Sequence, residues 1–247
     1  MLLLKRLTRQ KRIEPVQEEI QTDPNFVVPP PEIILGISPH EKKPSAQVEE
    51  SLKNRLNKPG CNKCESCGVT ISQEMRHSLF SRGHWYNVCS MCYYPTSLDK
   101  IPFYEEGDII YFPNMSQARL NAFLRGLWVV QFFANTDPGN DEMLDVAETL
   151  SDLERTFEHI VKVTVNVAKS PSETGIFAST MHLLQDDEYN QRHKYFGGFR
   201  WLPSKDMYEK EIPFWAQNDY KNLHHEQMSG NITKFVKEYI PDFRIKE

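Results

Sequence analysis

The sequence predicts an α+β protein that is mostly helical, with a small metal-binding module packed on a helical domain. All five cysteines of the 247-residue chain lie between Cys61 and Cys92. The long apolar segments come after this stretch, and their apolar residues recur at helical spacing. The expected organisation is a disordered tail over residues 1–31, a zinc-binding module over 32–100 and a mainly helical domain over 101–247.

Four of the cysteines form two CxxC pairs, Cys64–Cys67 and Cys89–Cys92, with 21 residues between the pairs. Two such pairs, separated by enough chain for a hairpin, can close a tetrahedron around Zn²⁺. Gly68 directly after the first pair permits the left-handed turn that such a pair needs. The pattern predicts one structural zinc ion in a treble-clef or HNH-like module with short strands, with the ligands Cys64, Cys67, Cys89 and Cys92.

Other roles for these residues remain open from the sequence. Disulfides would need an oxidising compartment, and we see no export signal. Cys61 can replace Cys64 as a ligand, but the position of Gly68 favours Cys61 as a free surface thiol. His77 and His84 lie between the pairs, and with four thiolates available we expect both on the surface of the hairpin.

Composition and charge narrow the functional classes to which this protein can belong. The chain is 39% hydrophobic and 26% charged, as in globular domains, and its net charge of −5 gives no general basic footprint for nucleic acid. Its longest apolar run, Leu127 to Ala134, is too short to span a bilayer. In a signal peptide the basic residues precede a long apolar run. Here they follow the few apolar residues after Met1, so a signal peptide is not expected. We expect a disordered tail there, with a basic anchor or partner-binding tip as the alternative.

The first half of the chain has clear signals for local structure. We expect a strand over residues 32–38, a helix over 46–57 and a strand over 108–112. Ser116 is placed to cap the most apolar helix, which continues to Phe133.

The second half is read as helices joined by one extended segment. A helix is expected from Asp141 to Ile160, and a capping box at residues 170–173 predicts the start of another. Residues 197–203 are expected to be extended. Ser204 is a candidate cap for a helix that Pro213 kinks or ends, and a last amphipathic helix is expected over 232–240.

The sequence carries no convincing catalytic motif. The strongest enzymatic alternative is an HNH-like nuclease, because His77, His84 and Asn87 lie between the two cysteine pairs. The position after the second pair, where a metal-binding histidine is expected, is Tyr93. A zinc-ribbon protein that binds nucleic acid is a further alternative. We expect a non-enzymatic protein.

The order of these features resembles the DotN/IcmJ family of the type IVB (Dot/Icm) secretion system. The resemblance rests on EIILGISP at 32–39, CESCG at 64–68, NVCSMCYY at 87–94 and DIIYFPNMSQARLNAFLRGLW at 108–128. Arg155, the Ser170–Ser172 segment and the helix with Ile176 follow in the same order, and residues 200–203 fit less specifically.

The resemblance implies an adaptor of a type IV coupling complex. Such a protein is cytoplasmic and associates peripherally with the inner membrane through its partners. It docks on the C-terminal extension of a membrane coupling ATPase, contacts other coupling-complex subunits and helps to recruit secreted substrates. Direct nucleic-acid binding and a transmembrane segment are not expected.

Overall fold

The computed structural model shows a mixed α/β chain with two small antiparallel sheets. Within the described residues, no helix is both long enough and apolar enough to cross a bilayer. The structure describes residues 30–40, 42–102, 107–136, 156–157, 159–162, 164–166, 172–222, 230, 234 and 237–239. The predicted tail therefore lies almost wholly outside the described residues, as does most of the predicted helix from Asp141 to Ile160.

The prediction of a strand over residues 32–38 is wrong. Residues 31–37 have no partner strand, and Ser38–His40 forms a 3-10 helix. Gly36 instead bonds through its own N–H to the Pro95 carbonyl and through its carbonyl to the Leu98 N–H, both at 2.9 Å. The apolar run that suggested a strand has another cause, because Leu35 and Ile37 are buried in the core.

Helix α1, Ala46–Leu56, agrees with the predicted helix to within one residue. Ser45 caps it, since its side chain accepts a hydrogen bond from the Val48 N–H at 3.3 Å. Leu52 and Leu56 are its buried residues, on one narrow face. The helix thus delivers the chain to the first cysteine pair.

A hairpin connects the two cysteine pairs. Strand β1, Arg76–Ser81, pairs with strand β2, His84–Cys89, and Ser81 lies opposite His84. The turn residues Arg82 and Gly83 have φ angles of 51° and 83°. Positive φ at both positions defines a type I′ turn, whose twist matches that of the strands. The short helix α2, Ser90–Tyr93, follows β2 without a break.

The second sheet joins the middle of the chain to its last third. Strand β3, Asp108–Tyr111, pairs with strand β4, Phe199–Leu202. The predicted strand and the predicted extended segment are therefore both confirmed. Helix α3, Gln117–Thr136, starts after Ser116 as predicted, because the Ser116 hydroxyl accepts from the Arg119 N–H at 3.3 Å.

The helix predicted from the capping box begins later than expected. Helix α4 is Thr174–Met181, with Glu173 as its N-cap and no side-chain cap, while Ser170 and Pro171 lie outside the described residues. Tertiary contacts explain the late start. The Ser172 carbonyl accepts from the Ile109 N–H at 2.6 Å, and Glu173 bridges to Asp108, so this segment is held extended beside β3.

Three short helices precede the described helical residues 230, 234 and 237–239. Pro213 neither ends nor kinks the last of them; it lies in its first turn, where the missing N–H costs little. Ser204 precedes a 3-10 helix, Lys205–Tyr208, and makes no side-chain cap. These elements are α5 (Asp186–Asn190), α6 (Arg192–Phe196) and α7 (Glu211–Asn218).

The core has two clusters of buried side chains. The larger one contains three of the cysteines together with apolar residues of the hairpin, α3 and α7, such as Trp128 and Trp215. The smaller one joins Leu35 and Ile37 to Phe177 and Trp201. The cysteine stretch thus shares its core with helices far along the chain. The division at residue 100 stays a prediction.

Candidate metal centre

The first cysteine pair lies on a tight turn stabilised by backbone hydrogen bonds. The Gly68 N–H donates to the Cys64 carbonyl at 2.8 Å, and the Cys64 N–H donates to the Val69 carbonyl at 2.7 Å. Gly68 has φ of +77°, the left-handed conformation that the sequence required of it. Lys63 and Thr70 close the turn with an antiparallel bridge. Both thiols therefore project from one compact turn.

The second pair lies where β2 becomes α2. Cys89 is the last residue of β2 and the N-cap of α2, and Cys92 lies one turn further along. The Cys89 N–H donates to the Cys64 sulfur at 3.3 Å. Because the hairpin folds back over the first turn, the two pairs face each other across a buried space.

The sulfur atoms of Cys64, Cys67, Cys89 and Cys92 all lie within 4.8 Å of one another. The Cys67 and Cys89 sulfurs are 3.7 Å apart. A tetrahedral ion with metal–sulfur bonds of about 2.3 Å would place its ligands roughly 3.8 Å apart. Cys64, Cys89 and Cys92 are buried, and Cys67 is half-buried. The four side chains can therefore hold one metal ion.

The charges of these thiols depend on one another. The pKa of Cys67 is held well below its usual range by hydrogen bonds from Cys64 and the other two thiols, with a contribution from the charge of Arg125. The pKa values of Cys89 and Cys92 rise well above that range because these thiols share protons with Cys64 and Cys67 and are buried. Four thiolates this close need a cation among them.

Arg125 is a permanent cation in direct contact with the cluster. This α3 residue is 4% exposed, and its guanidinium donates to the Cys67 sulfur at 3.2 Å and to the Tyr220 hydroxyl at 3.2 Å. Burial alone would lower the pKa of Arg125. The Cys67 thiolate and Tyr220 raise this pKa by more than burial lowers it, so the net shift is upward. With one divalent ion bound, four thiolates would carry a net charge of −2, and Arg125 would compensate part of it.

A buried amide network connects the cluster to the second sheet. The Asn121 amide donates to the Met91 carbonyl at 2.6 Å and lies 3.6 Å from the Cys92 sulfur. Gln117 donates to Asn121 at 2.9 Å and to the Trp201 carbonyl at 2.7 Å, and accepts from the Trp201 N–H at 2.9 Å. The network therefore holds α2, α3 and β4 in one arrangement.

Further polar contacts attach the first turn to α7. The Asp219 carboxylate, at the end of α7, accepts from the Thr70 N–H at 3.0 Å and from the Thr70 hydroxyl at 2.8 Å. Lys63 forms an ion pair with the same carboxylate at 2.6 Å. The Asp219 side chain is only 13% exposed, so solvent screens this contact weakly. The turn that carries Cys64 and Cys67 is thus held by Asp219 as well as by the cysteine cluster.

A scan against protein-family models found no match to this chain, and a search of curated proteins found none either. Chemical inference therefore comes from the geometry of the site.

The remaining candidates of the hairpin lie outside the cluster. Cys61 is exposed, as expected for a free thiol. His84 is half-buried at the start of β2. His77 is half-buried too, so neither histidine is fully on the surface, and the His77 ring stacks on Tyr93 with the ring centroids 4.3 Å apart. Burial lowers the pKa of His77 to about 4, with smaller contributions from Arg76 and Lys100.

Sequence reasoning missed the polar face of α3. Gln117, Asn121 and Arg125 are 2%, 0% and 4% exposed, in a helix interpreted as apolar on nearly every side. Their signal was present, because the three residues follow one another at intervals of four and therefore share one helix face. Polar residues repeated on a buried face need partners, and here the partners are the cysteine cluster and β4.

Proposed function

We propose that this chain is a zinc-stabilised adaptor of a type IV coupling complex, with no catalytic activity of its own. The observation that carries the proposal is the coordination sphere. Four cysteine sulfurs within 4.8 Å of one another can supply every ligand of a tetrahedral ion, whereas a catalytic zinc needs a position for water or substrate. Arg125 and Asn121 occupy the space beside the sulfurs. The metal therefore serves the fold, and the function belongs to the surface that it makes rigid.

Zinc is the ion that suits this donor set best. Four thiolates at tetrahedral spacing, paired as CxxC, are typical of structural zinc. We infer a treble clef from the order of a cysteine turn, a hairpin and a helix that begins at the second pair. HNH-like nucleases use related modules with a metal-binding histidine after the second pair, but in this chain that position is Tyr93, whose ring stacks on His77.

The partner follows from the resemblance to the DotN/IcmJ family. We infer that the chain docks on the C-terminal extension of a membrane coupling ATPase and contacts other subunits of the complex. It would then be cytoplasmic and peripheral to the inner membrane through these partners. The segment DIIYFPNMSQARLNAFLRGLW supports this family, and it supplies both β3 and the polar face of α3.

Affinity capture from the native host tests the proposal. Tagged protein should recover a membrane ATPase of the coupling class, and zinc-depleted protein should lose it because the docking surface depends on the fold. Recovery of nucleic acid alone would contradict the adaptor role. Retention on heparin or DNA at low salt with a steep salt dependence would favour a nucleic-acid-binding protein instead.

A further inference from the structure

A cavity of about 460 Å³ lies apart from the cysteine cluster. It is lined by strand β1, by Glu32, Ile34, His40 and Lys42, and by Tyr189 and Arg192. None of the four clustered cysteines lines it. Its volume falls in the range of sites that bind small molecules or the side chains of a docked peptide.

The way that β1 lines the cavity shows that its edge faces inward. Four successive residues, 78–81, contribute to the wall. Successive side chains of a strand point to opposite faces, so a row of four lining residues is the pattern of a strand whose edge borders the cavity. β1 pairs with β2 on its other side, and within the described residues this sheet has no third strand.

The register identifies the backbone groups at this edge. Because Arg82 and Gly83 form a two-residue turn, Ser81 and His84 are a hydrogen-bonded pair. Pairs alternate along an antiparallel ladder, so the N–H and C=O groups of Ser78 and Phe80 point away from β2. These are the groups that an added strand would use.

The charges of the cavity complement an anion. Lys42 lies over the Phe80 ring at 4.0 Å, and Arg192 lies over the Tyr189 ring at 4.2 Å. Arg82 and Glu32 form an ion pair at 3.0 Å in which both side chains are half exposed. A guanidinium has five donors, so Arg82 can bind a second carboxylate while it keeps Glu32.

The charge of the residues that line the cavity differs in sign from the net charge of the whole chain. Among the described residues, three permanent cations and one carboxylate line this cavity, in a chain whose net charge is −5. A second copy of the chain would bring the same cations to the same edge, and the like charges would repel. A small anion could bind beside the cations but would make no use of the strand edge. Charge and edge together fit an extended acidic peptide.

We propose that this cavity receives an extended acidic segment of a partner protein, which adds to β1 as a strand. Its backbone pairs with Ser78 and Phe80, and its carboxylates contact Lys42 and Arg82. The origin of this segment in the coupling complex rests on the proposed function. The inference that the cavity binds an acidic peptide does not depend on it. Backbone pairing gives affinity, and the cations select acidic sequences.

Fluorescence anisotropy with a labelled peptide of alternating glutamate and valine tests the proposal on the full-length, zinc-loaded protein. Three further probes complete the set: a lysine–valine peptide, the glutamate peptide with alternate amides N-methylated, and inorganic phosphate as competitor. The glutamate peptide should bind, the other two peptides should bind at least about tenfold more weakly, and phosphate should compete poorly. Equal binding of the N-methylated peptide, or full competition by phosphate, would show an anion pocket and overturn the proposal.

Matched variants locate the site. Arg82→Asn with Lys42→Gln removes two cations, and asparagine tolerates the positive φ at position 82. Lys58→Gln with Lys221→Gln removes two exposed cations that do not line the cavity. The first pair should weaken binding about tenfold and the second pair should leave it unchanged. Equal loss in both, with zinc content and melting temperature preserved, would place the peptide elsewhere.

Capture from the host separates this proposal from the proposed function. If wild-type protein recovers the ATPase and the Arg82→Asn/Lys42→Gln variant recovers it equally well, the cavity is not the docking site and the adaptor function stands. If wild-type protein binds the glutamate peptide through Arg82 and Lys42 but recovers no ATPase, the cavity stands and the coupling-complex assignment is wrong.

Discussion

Arg125 is the residue on which the electrostatics of the cysteine cluster depend most. Its guanidinium is buried and donates to the Cys67 sulfur at 3.2 Å. Removing one partner of a buried charge pair leaves the other charge uncompensated, which typically costs 3–5 kcal/mol. In this protein the uncompensated charge would be that of the proposed zinc–tetrathiolate centre, which is net negative.

We expect Arg125→Met to lower the free energy of unfolding by about 3 kcal/mol and to speed zinc loss to a chelator. Urea unfolding and a colorimetric zinc-release assay measure the two effects. Arg119→Met is the control on the same helix, since Arg119 is 68% exposed, and it should cost under about 1 kcal/mol. Equal effects of the two substitutions would show that the contact with Cys67 contributes nothing.

His77 provides a second prediction at the scale of a single residue. Its pKa of about 4 means that burial disfavours the charged imidazole in the folded state. Between about pH 6.5 and 4 the unfolded chain takes up a proton that the folded chain refuses. The contribution of His77 to stability is therefore complete above pH 6.5 and falls as the pH drops through this window.

Proton NMR should show no titration of the His77 ring between pH 7.5 and 5.5. His77→Phe keeps a ring on Tyr93 and removes the titrating group, so the stability of the variant should fall less than that of the wild type from pH 7 to 5. A ring that titrates near pH 6.5 would contradict the buried stacking arrangement.

The elements that sequence could predict are those whose signals are local. The helix over 46–57 has a serine cap, the helix after Ser116 has another, and residues 108–112 are a short apolar run before a proline. The cysteine spacing and Gly68 likewise determine a turn by themselves. These features form within a few residues of their signal, so tertiary contacts had little to change.

The elements that were predicted wrongly are those whose structure depends on contacts with residues distant in sequence. Residues 32–38 have the composition of a strand, but their backbone pairs with the Pro95–Leu98 loop. Residues 172–173 are held beside β3, which overrides the capping box. Outside α3, the partners of Gln117, Asn121 and Arg125 come from segments between 29 and 95 residues away in sequence. No window of sequence shows that those segments meet.

The network across α2, α3 and β4 gives a prediction at the scale of elements. Asn121→Leu would leave the Met91 carbonyl and a Gln117 donor without partners, which should cost about 2 kcal/mol. In a double-mutant cycle with Gln117→Leu, the two substitutions should be non-additive by roughly 1 kcal/mol. Urea unfolding at constant zinc measures each corner of the cycle.

Asn121→Leu combined with Asn54→Leu is the control cycle, because Asn54 is an exposed residue of α1 that bonds only locally to Glu50. That pair should be additive within about 0.5 kcal/mol. Additivity of Gln117→Leu with Asn121→Leu would show that the amides act separately and that α3 does not couple β4 to the metal centre.

At the scale of the whole molecule, the cysteines belong to the same buried cluster as α3 and α7. A structural zinc ion contributes on the order of 10 kcal/mol of folding free energy, comparable to the stability of an entire domain. We therefore expect chelation to loosen more than the turn and hairpin. The near-UV circular dichroism of Trp128 and Trp215 should collapse, and hydrogen exchange should accelerate in α3 and α7.

Added Zn²⁺ should restore both signals and Mg²⁺ should not, because Mg²⁺ prefers oxygen ligands. Accelerated exchange confined to residues 61–93 would show instead that the zinc module folds independently of the helices, as the predicted boundary at residue 100 implies.

The central claim is a closed tetrathiolate zinc site, and X-ray absorption at the zinc edge combined with metal analysis tests it most directly. We predict one zinc per chain with four sulfur neighbours at about 2.3 Å. The coordination should be unchanged in Cys61→Ser, and zinc should be lost in Cys89→Ser, which should also become sensitive to protease. Full zinc retention in Cys89→Ser, or an oxygen or nitrogen ligand in the wild-type spectrum, would contradict the account.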